Sequence, residues 1–266
     1  MKLLIIGGGK MGAGLAAGCL NGDVVRTDEL TIIESNEQRC AQLIGEGLSA
    51  QMAMPDQLES DQIVVVAVKP QILNSVLSDV APLLAGHLSI SIAAGISTAE
   101  LESGGAGARW VRAMPNQPAV VGAAATGLFA CANVTEEDKA EVSRLFKAVG
   151  ISIWVAQEEN LHAITGLSGS GPAYVAMFIE ALEDGGVRVG LDRMQARQLA
   201  VQTVLGAAQQ IKETGMTPAA LKDAVTSPAG TTIEGVRALE AGGLRSSVMQ
   251  AVADATSRSQ ALGKSK

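Results

Sequence analysis

A chain of 266 residues suffices for one large domain or two of ordinary size. Hydrophobic residues make up 47% of it and aromatic ones only 2%, so any core must be built from Ala, Val, Ile, Leu and Met. A formal net charge of −7, with no Lys- or Arg-rich run, argues against nucleic acid as a partner. The 3 cysteines, Cys19, Cys40 and Cys131, are widely spaced and each lies in an apolar segment. They read as buried thiols of a reducing compartment rather than a disulfide frame or a zinc site. No apolar run reaches membrane-spanning length, and the start is too poor in apolar residues for a signal peptide. The expectation is a cytoplasmic protein with no membrane partner.

The chain opens on Leu3–Ile6, a short apolar run of the kind a strand buried on both faces presents. Gly7, Gly9 and Gly12 follow in the spacing G-x-G-x-x-G, and a helical run begins at Met11. Gly7 suits a sharp turn off the strand, Gly9 leaves bare backbone for a pyrophosphate, and Gly12 allows close packing of helix on strand. With Lys10 and Met11, these glycines open a helix whose first N–H groups and partial positive charge suit phosphates. The strand before and the helix after raise a motif that is weak alone into a dinucleotide-site candidate. Leu30–Ile33 reads as a second strand, ending at Glu34, Ser35 and Asn36. Glu34 lies about 20 residues past Gly12, where an acidic residue accepts from the adenosine ribose and repels a 2′-phosphate. Ser35, Asn36 and Arg39 offer the opposite, a cradle for that phosphate, so NAD and NADP both stay open. A plainer reading makes Glu34 the start of a turn and Ser35 a helix cap.

Ile63–Val68 is the next strand, with Pro70 after Lys69 in the first turn of a helix running to Val80. Leu88–Ala93 leads into Ala94 and Gly95, with Ser97 or Thr98 as a cap. Arg109–Ala113 ends in Met114-Pro115-Asn116-Gln117-Pro118, a stiff polar loop at a strand end, where open α/β sheets place ligands. Gly127–Ala132, a helix from Thr135 to Val149, and Ile151–Val155 complete a mostly parallel, doubly wound sheet.

From about Gln157 the strand signals stop. Leu161–Leu167 leads into Ser168-Gly169-Ser170-Gly171-Pro172, which opens a helix that Gly185, Gly186 and Gly190 are expected to end. The helix from Arg193 to Glu213 is apolar over a face too broad for one neighbouring layer, from Leu199 to Ile211. Thr217 caps a further helix with Pro218 in its first turn, Thr226–Thr232 is a second polar loop opening a helix, and Leu244–Leu262 is the last. Such small-residue helices cannot bury this surface alone, and a homodimer is the simplest answer. The division is thus expected at 1–155 and 156–266.

Only two histidines are present, and neither His87 nor His162 has a metal-ligand partner at suitable spacing, so no metal is expected. His87 reads as a surface loop residue and His162 as a packing or hydrogen-bonding one. No nucleophile with an acid–histidine pair stands out, so a cofactor must bring the hard chemistry.

The motifs Gly7–Gly12, Ala67–Gln71, Ala93–Gly95, Arg112–Asn116 with Pro118, Ser168–Tyr174 and Thr226–Thr232 are individually ordinary. In this order, over essentially the whole chain, they resemble the pyrroline-5-carboxylate reductases, which carry out the last step of proline synthesis. The resemblance implies an N-terminal doubly wound Rossmann-type sheet followed by an all-helical dimerisation domain, swapped between subunits within a larger ring. It implies that Val68, Lys69 and Pro70 border the coenzyme's ribose and nicotinamide, with Ala93, Ala94, Gly95 and Asn116 nearby. Ser170, Gly171 and the Gly230, Thr231, Thr232 stretch would hold a small-molecule substrate. A cyclic imino acid needs an anion cradle, which N–H groups entering a helix at Gly230–Thr232 supply, and Thr232 is the side chain to set beside the ring nitrogen. The plainer role for Thr226, Thr231 and Thr232 is N-capping. Ala229 departs from the family's second glycine, a change that is harmless provided the position needs no positive φ. A β-hydroxyacid dehydrogenase would share the opening and the helical half but needs a lysine in a loop motif, where this chain has only Lys212 and Lys222. A non-catalytic nucleotide-binding protein would not need the two polar loops.

Overall fold

The computed structural model describes residues 1–105 and 107–264. Eight strands form one sheet in the order β3-β2-β1-β4-β5-β6-β7-β8. They are β1 (Lys2–Ile6), β2 (Leu30–Ile33), β3 (Ala50–Gln51), β4 (Gln62–Val66), β5 (Leu88–Ser91), β6 (Arg109–Met114), β7 (Ala124–Ala130) and β8 (Gly150–Trp154). All neighbours pair parallel except β6 and β7, which run antiparallel. The helices α1 (Lys10–Asn21), α2 (Glu37–Gly45), α3 (Pro70–Leu84), α4 (Thr98–Gly104) and α5 (Glu136–Lys147) connect the strands. Central strands are buried on both faces, as the unbroken Leu3–Ile6 and Ile63–Val66 runs require, and Trp110 and Phe146 are the largest fully buried side chains.

Helices follow without further strands: α6 (Asn160–Ile164), α7 (Gly171–Arg188), α8 (Arg193–Thr214), α9 (Pro218–Ala224), α10 (Thr231–Ala241) and α11 (Leu244–Lys264). Mixed structure thus ends at Trp154, but the compact units divide elsewhere. One comprises Met1–Ser170 with Asp254–Lys266, the other Gly171–Ala253. The end of α11 belongs to the first unit, where Ser259 Oγ lies 2.9 Å from His162 Nδ1. In the second unit Glu183 receives hydrogen bonds from Arg193 and Arg197, pinning α7 to α8. Among residues 171–253 only Glu183, Ala196 and Ala200 are buried. Met177 is 68% exposed and Met249 72%, so a single copy of this unit has no core of its own.

Several local expectations need correction. Gly185 and Gly186 do not end α7, which runs to Arg188. Gly186 instead brings it close to Ala196, whose Cβ a methyl there would approach to 3.0 Å. The cap of α2 is Asn36, whose side chain accepts from Arg39 N, and not Ser35. The helix from Leu161 does not reach Leu167 as α-helix: Thr165–Gly169 form a π-turn. Ser97 caps α4 in a reciprocal box with Glu100. All three cysteines are free and buried, and burial pushes the thiols of Cys19 and Cys131 up to about 12, far from thiolate chemistry.

Candidate functional site

Strand order reverses direction between β2 and β4, on either side of β1, and this is where a doubly wound sheet opens a crevice. The glycine turn sits there. Gly7 N donates to Ile33 O and Ala67 N to Ile6 O, each at 2.8 Å, so the turn is stitched to both neighbouring strands. Gly7 adopts φ 109, and a Cβ on it would lie 2.7 Å from Ala67 O. A Cβ on Gly12 would collide with the Gly7 carbonyl oxygen, which is the close helix–strand approach expected of the third glycine. At Gly9 an added Cβ would meet nothing within 4 Å, so the backbone faces open space. Gly9 is also the N-cap of α1 and brings no side-chain acceptor, which leaves the N–H groups at Lys10 and Met11 for an outside anion. The residues present therefore fit a dinucleotide's pyrophosphate.

Glu34 is more engaged than its sequence position suggested. One carboxylate oxygen accepts from Gly8 N at 3.0 Å and the other from Asn36 N at 2.9 Å. Arg39 Nε donates to Gly8 O at 2.9 Å while its guanidinium pairs with Glu46. Glu34 and Arg39 thus clamp the glycine turn from both sides, with Ser35 and Asn36 exposed beside them. Gly8 itself was missed by the spacing rule, although a side chain on it would run into Leu43.

Lys69 caps α3 without a side-chain bond and Pro70 occupies its first turn, while Val68 packs against the Gly7 turn. Ala93, Ala94 and Gly95 leave the end of β5, and Gly95 lines a cleft of about 310 Å³ with Ser97, Arg112, Glu158, His162 and Gly263. No sequence signal marked Glu158, which joins three partners: Arg112, Thr98 N at 2.7 Å and Thr98 Oγ1 at 2.8 Å. Burial pushes its carboxyl up, but Arg112 and the two Thr98 donors outweigh this and hold it below the ordinary value. Asn116 is buried at the end of β6, with its side chain turned to backbone groups of β7 and of the π-turn.

In the helical unit, α10 starts at Gly230, which has extended backbone and no side chain to cap with. Thr231 and Thr232 are therefore the first residues of the helix and not its caps, and the N–H groups of that turn are open to a ligand carboxylate. Thr226 is no cap either, since its hydroxyl donates back to Lys222 O at 2.6 Å. Ahead of Gly230, its N–H donates to Ser227 O at 3.1 Å across Pro228 and Ala229. Ala229 has φ 55, so the condition attached to its substitution for glycine is not met. Proline at the second and positive φ at the third position is the pattern of a type II turn, whose third residue is usually glycine. Ser170 lies in the other compact unit, its N–H donating to Thr165 O at 2.8 Å in the π-turn, and Gly171 begins α7.

Residues 158–262 match the family model for pyrroline-5-carboxylate reductase dimerisation, and residues 2–95 match that for NADP oxidoreductase, coenzyme F420-dependent. A pyrroline-5-carboxylate reductase of Glycine max is 44% identical over 97% of this chain and 94% of its own. The chain belongs to the pyrroline-5-carboxylate reductase family. Its fold agrees with two solved members. A pyrroline-5-carboxylate reductase from Coxiella burnetii shares 34% identity with a TM-score of 0.92 over 99% of both chains. A Plasmodium falciparum pyrroline carboxylate reductase, solved with NADP bound, shares 33% identity with a TM-score of 0.85 over 99% of this chain and 98% of that one. Lys212 and Lys222 sit on helices, Lys222 paired with Asp223, and offer no lysine motif of the dehydrogenase kind. Among the described residues no helix is long and apolar enough to cross a membrane, and no group of three or more His, Cys, Asp or Glu could hold a metal ion.

Proposed function

We propose that this protein is the enzyme that reduces 1-pyrroline-5-carboxylate to L-proline, the last step of proline biosynthesis. When bound, NADH or NADPH supplies the hydride for the imine carbon. The observation that carries the reading is that two helices, α1 and α10, begin at glycines with no side-chain cap, each within a motif of the family. At α1, backbone N–H groups around Gly9, Lys10 and Met11 hold the pyrophosphate, and Glu34, with Ser35 and Asn36, meets the adenosine ribose. Val68, Lys69, Pro70, Ala93, Ala94 and Gly95 border the remainder of the coenzyme. At α10, the free N–H groups of the first turn, at Thr231 and Thr232 behind the Gly230 cap, hold the substrate carboxylate, and Ser170 and Gly171 are further substrate residues. The Thr232 hydroxyl both donates and accepts, so it orients the ring nitrogen as that atom takes its proton.

The helical half makes the enzyme a homodimer, since only a second copy can cover what residues 171–253 leave exposed. A larger ring and a cytoplasmic location complete the proposal, the latter supported by three free cysteines. The test is oxidation of NADH and NADPH by purified protein with pyrroline-5-carboxylate, and with 3-hydroxy acids in the reverse direction. Turnover of the imino acid alone is expected, and turnover of the hydroxy acids alone would overturn the assignment. Sedimentation at micromolar concentration should show a dimer or a multiple of it, and a monomer would remove the argument from the exposed helices.

A further inference from the structure

Antiparallel strands exchange backbone hydrogen bonds at every second pair. Cys131 N donates to Trp110 O, which puts the bonded pairs of β6 and β7 at 110/131, 112/129 and 114/127, and the next in the series at 116/125. That pair is not made by the backbone: the Asn116 carbonyl accepts from Ala119 N at 3.1 Å in the turn that follows β6. The side chain takes over instead: Asn116 Oδ1 accepts from Ala125 N at 2.9 Å. Its other end, Nδ2, donates to the Ser168 carbonyl at 2.9 Å.

That carbonyl has its own history. In the α-helical register that α7 resumes, Ser168 C=O would accept from the N–H of residue 172, and residue 172 is proline, which has none. A part-buried carbonyl left alone is unfavourable, so a donor from elsewhere is required. Ser168 lies in the π-turn, a form found preferentially at functional positions. Thr165 Oγ1 and Ser168 Oγ both bond back to carbonyls four residues earlier, at 2.7 and 3.1 Å, and Ser170 N reaches Thr165 O. Met114, also at the end of β6, lies against Gly169, where an added Cβ would be 3.0 Å from its Cε.

We propose that Asn116 is a positioning residue that supplies the hydrogen bond Pro172 cannot give, and so fixes Ser170 against the end of β6. It acts on the substrate through Ser168 and not by touching coenzyme. This rests on the reading of Ser170 as a substrate residue.

The test is a double-mutant cycle of Asn116→Ala and Pro172→Ala, followed by thermal midpoint and by KM for pyrroline-5-carboxylate and for coenzyme separately. In the parent background, Asn116→Ala should raise KM for the imino acid about tenfold, the size expected for one part-buried carbonyl losing its partner. KM for the coenzyme should stay within about twofold. In the Pro172→Ala background residue 172 has an N–H for Ser168 O, so the same Asn116 change should matter less than about threefold. Asn116→Asp, which keeps the acceptor for Ala125 N and loses the donor, serves if the alanine variant does not fold. Equal effects in both backgrounds, in midpoint and KM alike, overturn the strut, and so does a coenzyme KM that rises as much as that of the imino acid. Ser170→Ala with unchanged imino-acid KM, beside a coupled thermal cycle, overturns the substrate reading of Ser170 instead.

Discussion

Ala229→Gly should stabilise this protein. Ala229 is held at φ 55, where the methyl group crowds its own carbonyl, a conformation that costs an L-residue about 1–2 kcal/mol. Glycine removes that term and adds freedom to the unfolded chain, which offsets about 0.4–1 kcal/mol. The balance is a gain of about 0.8 kcal/mol per chain, or roughly 2–3 °C in melting midpoint for a chain of this length. The Gly230 N–H to Ser227 O bond that closes the turn is unaffected, because neither partner is altered. Thermal melts of parent and variant at one fixed protein concentration measure the effect, since an assembling protein melts at a concentration-dependent midpoint. Ala229→Val is the opposing control: β-branching at positive φ should lower the midpoint well below the parent. A glycine variant that melts at or below the parent, or a valine variant that melts with it, would refute the argument from φ.

Thr232→Val keeps the shape of the first turn of α10 and deletes the hydroxyl, so kcat should fall about ten- to a hundredfold, worth roughly 1.4–2.8 kcal/mol. Near-normal kcat in a folded variant would leave proton delivery to water. Glu34→Ala should move the ratio of kcat/KM for NADPH over NADH upward about fivefold, because a like charge near the 2′ position is worth on the order of 1 kcal/mol. KM for both coenzymes should rise with it, since Glu34 also holds Gly8 N. An unchanged ratio makes Glu34 a turn residue only. Glu158→Gln should destabilise the protein at pH 7, where the parent's carboxylate is charged and paired with Arg112. Glu158 is held below its ordinary value of 4.5, so its contribution is complete above that pH and disappears as pH falls through the lower folded value. The gap between parent and variant melting curves should therefore close below about pH 4.5, and curves parallel from pH 7 to 3 would contradict the ion pair's role.

The glycine turn was legible in the sequence because its requirements are local. A strand that must end, a backbone that must approach a ligand and a helix that must pack closely each demand glycine at a stated offset, and Gly7, Gly9 and Gly12 meet them one by one. Buried strands declared themselves in the same way, as apolar runs too short and too continuous for helices. The exposed stripe from Leu199 to Ile211 already said that one layer would not cover it.

What the tertiary structure decided depends on partners far away in the chain. The two residues of β3 carry no periodicity, and they become a strand only because β2 offers them hydrogen bonds. The antiparallel direction of β7 follows from the turn after Asn116, and nothing within Ala124–Ala130 states it. Glu158 gained its place through Thr98 and Arg112, 60 and 46 residues upstream, on contacts that no spacing rule encodes. Ala229 looked tolerable until its turn required positive φ, a demand set by where α10 must begin. Asn116, a polar residue in a proline-rich loop by sequence, became the link between β7 and the π-turn because one carbonyl there had lost its donor to Pro172. Local sequence records what a residue can do with its own backbone, and only the folded chain determines which distant groups are left needing a partner.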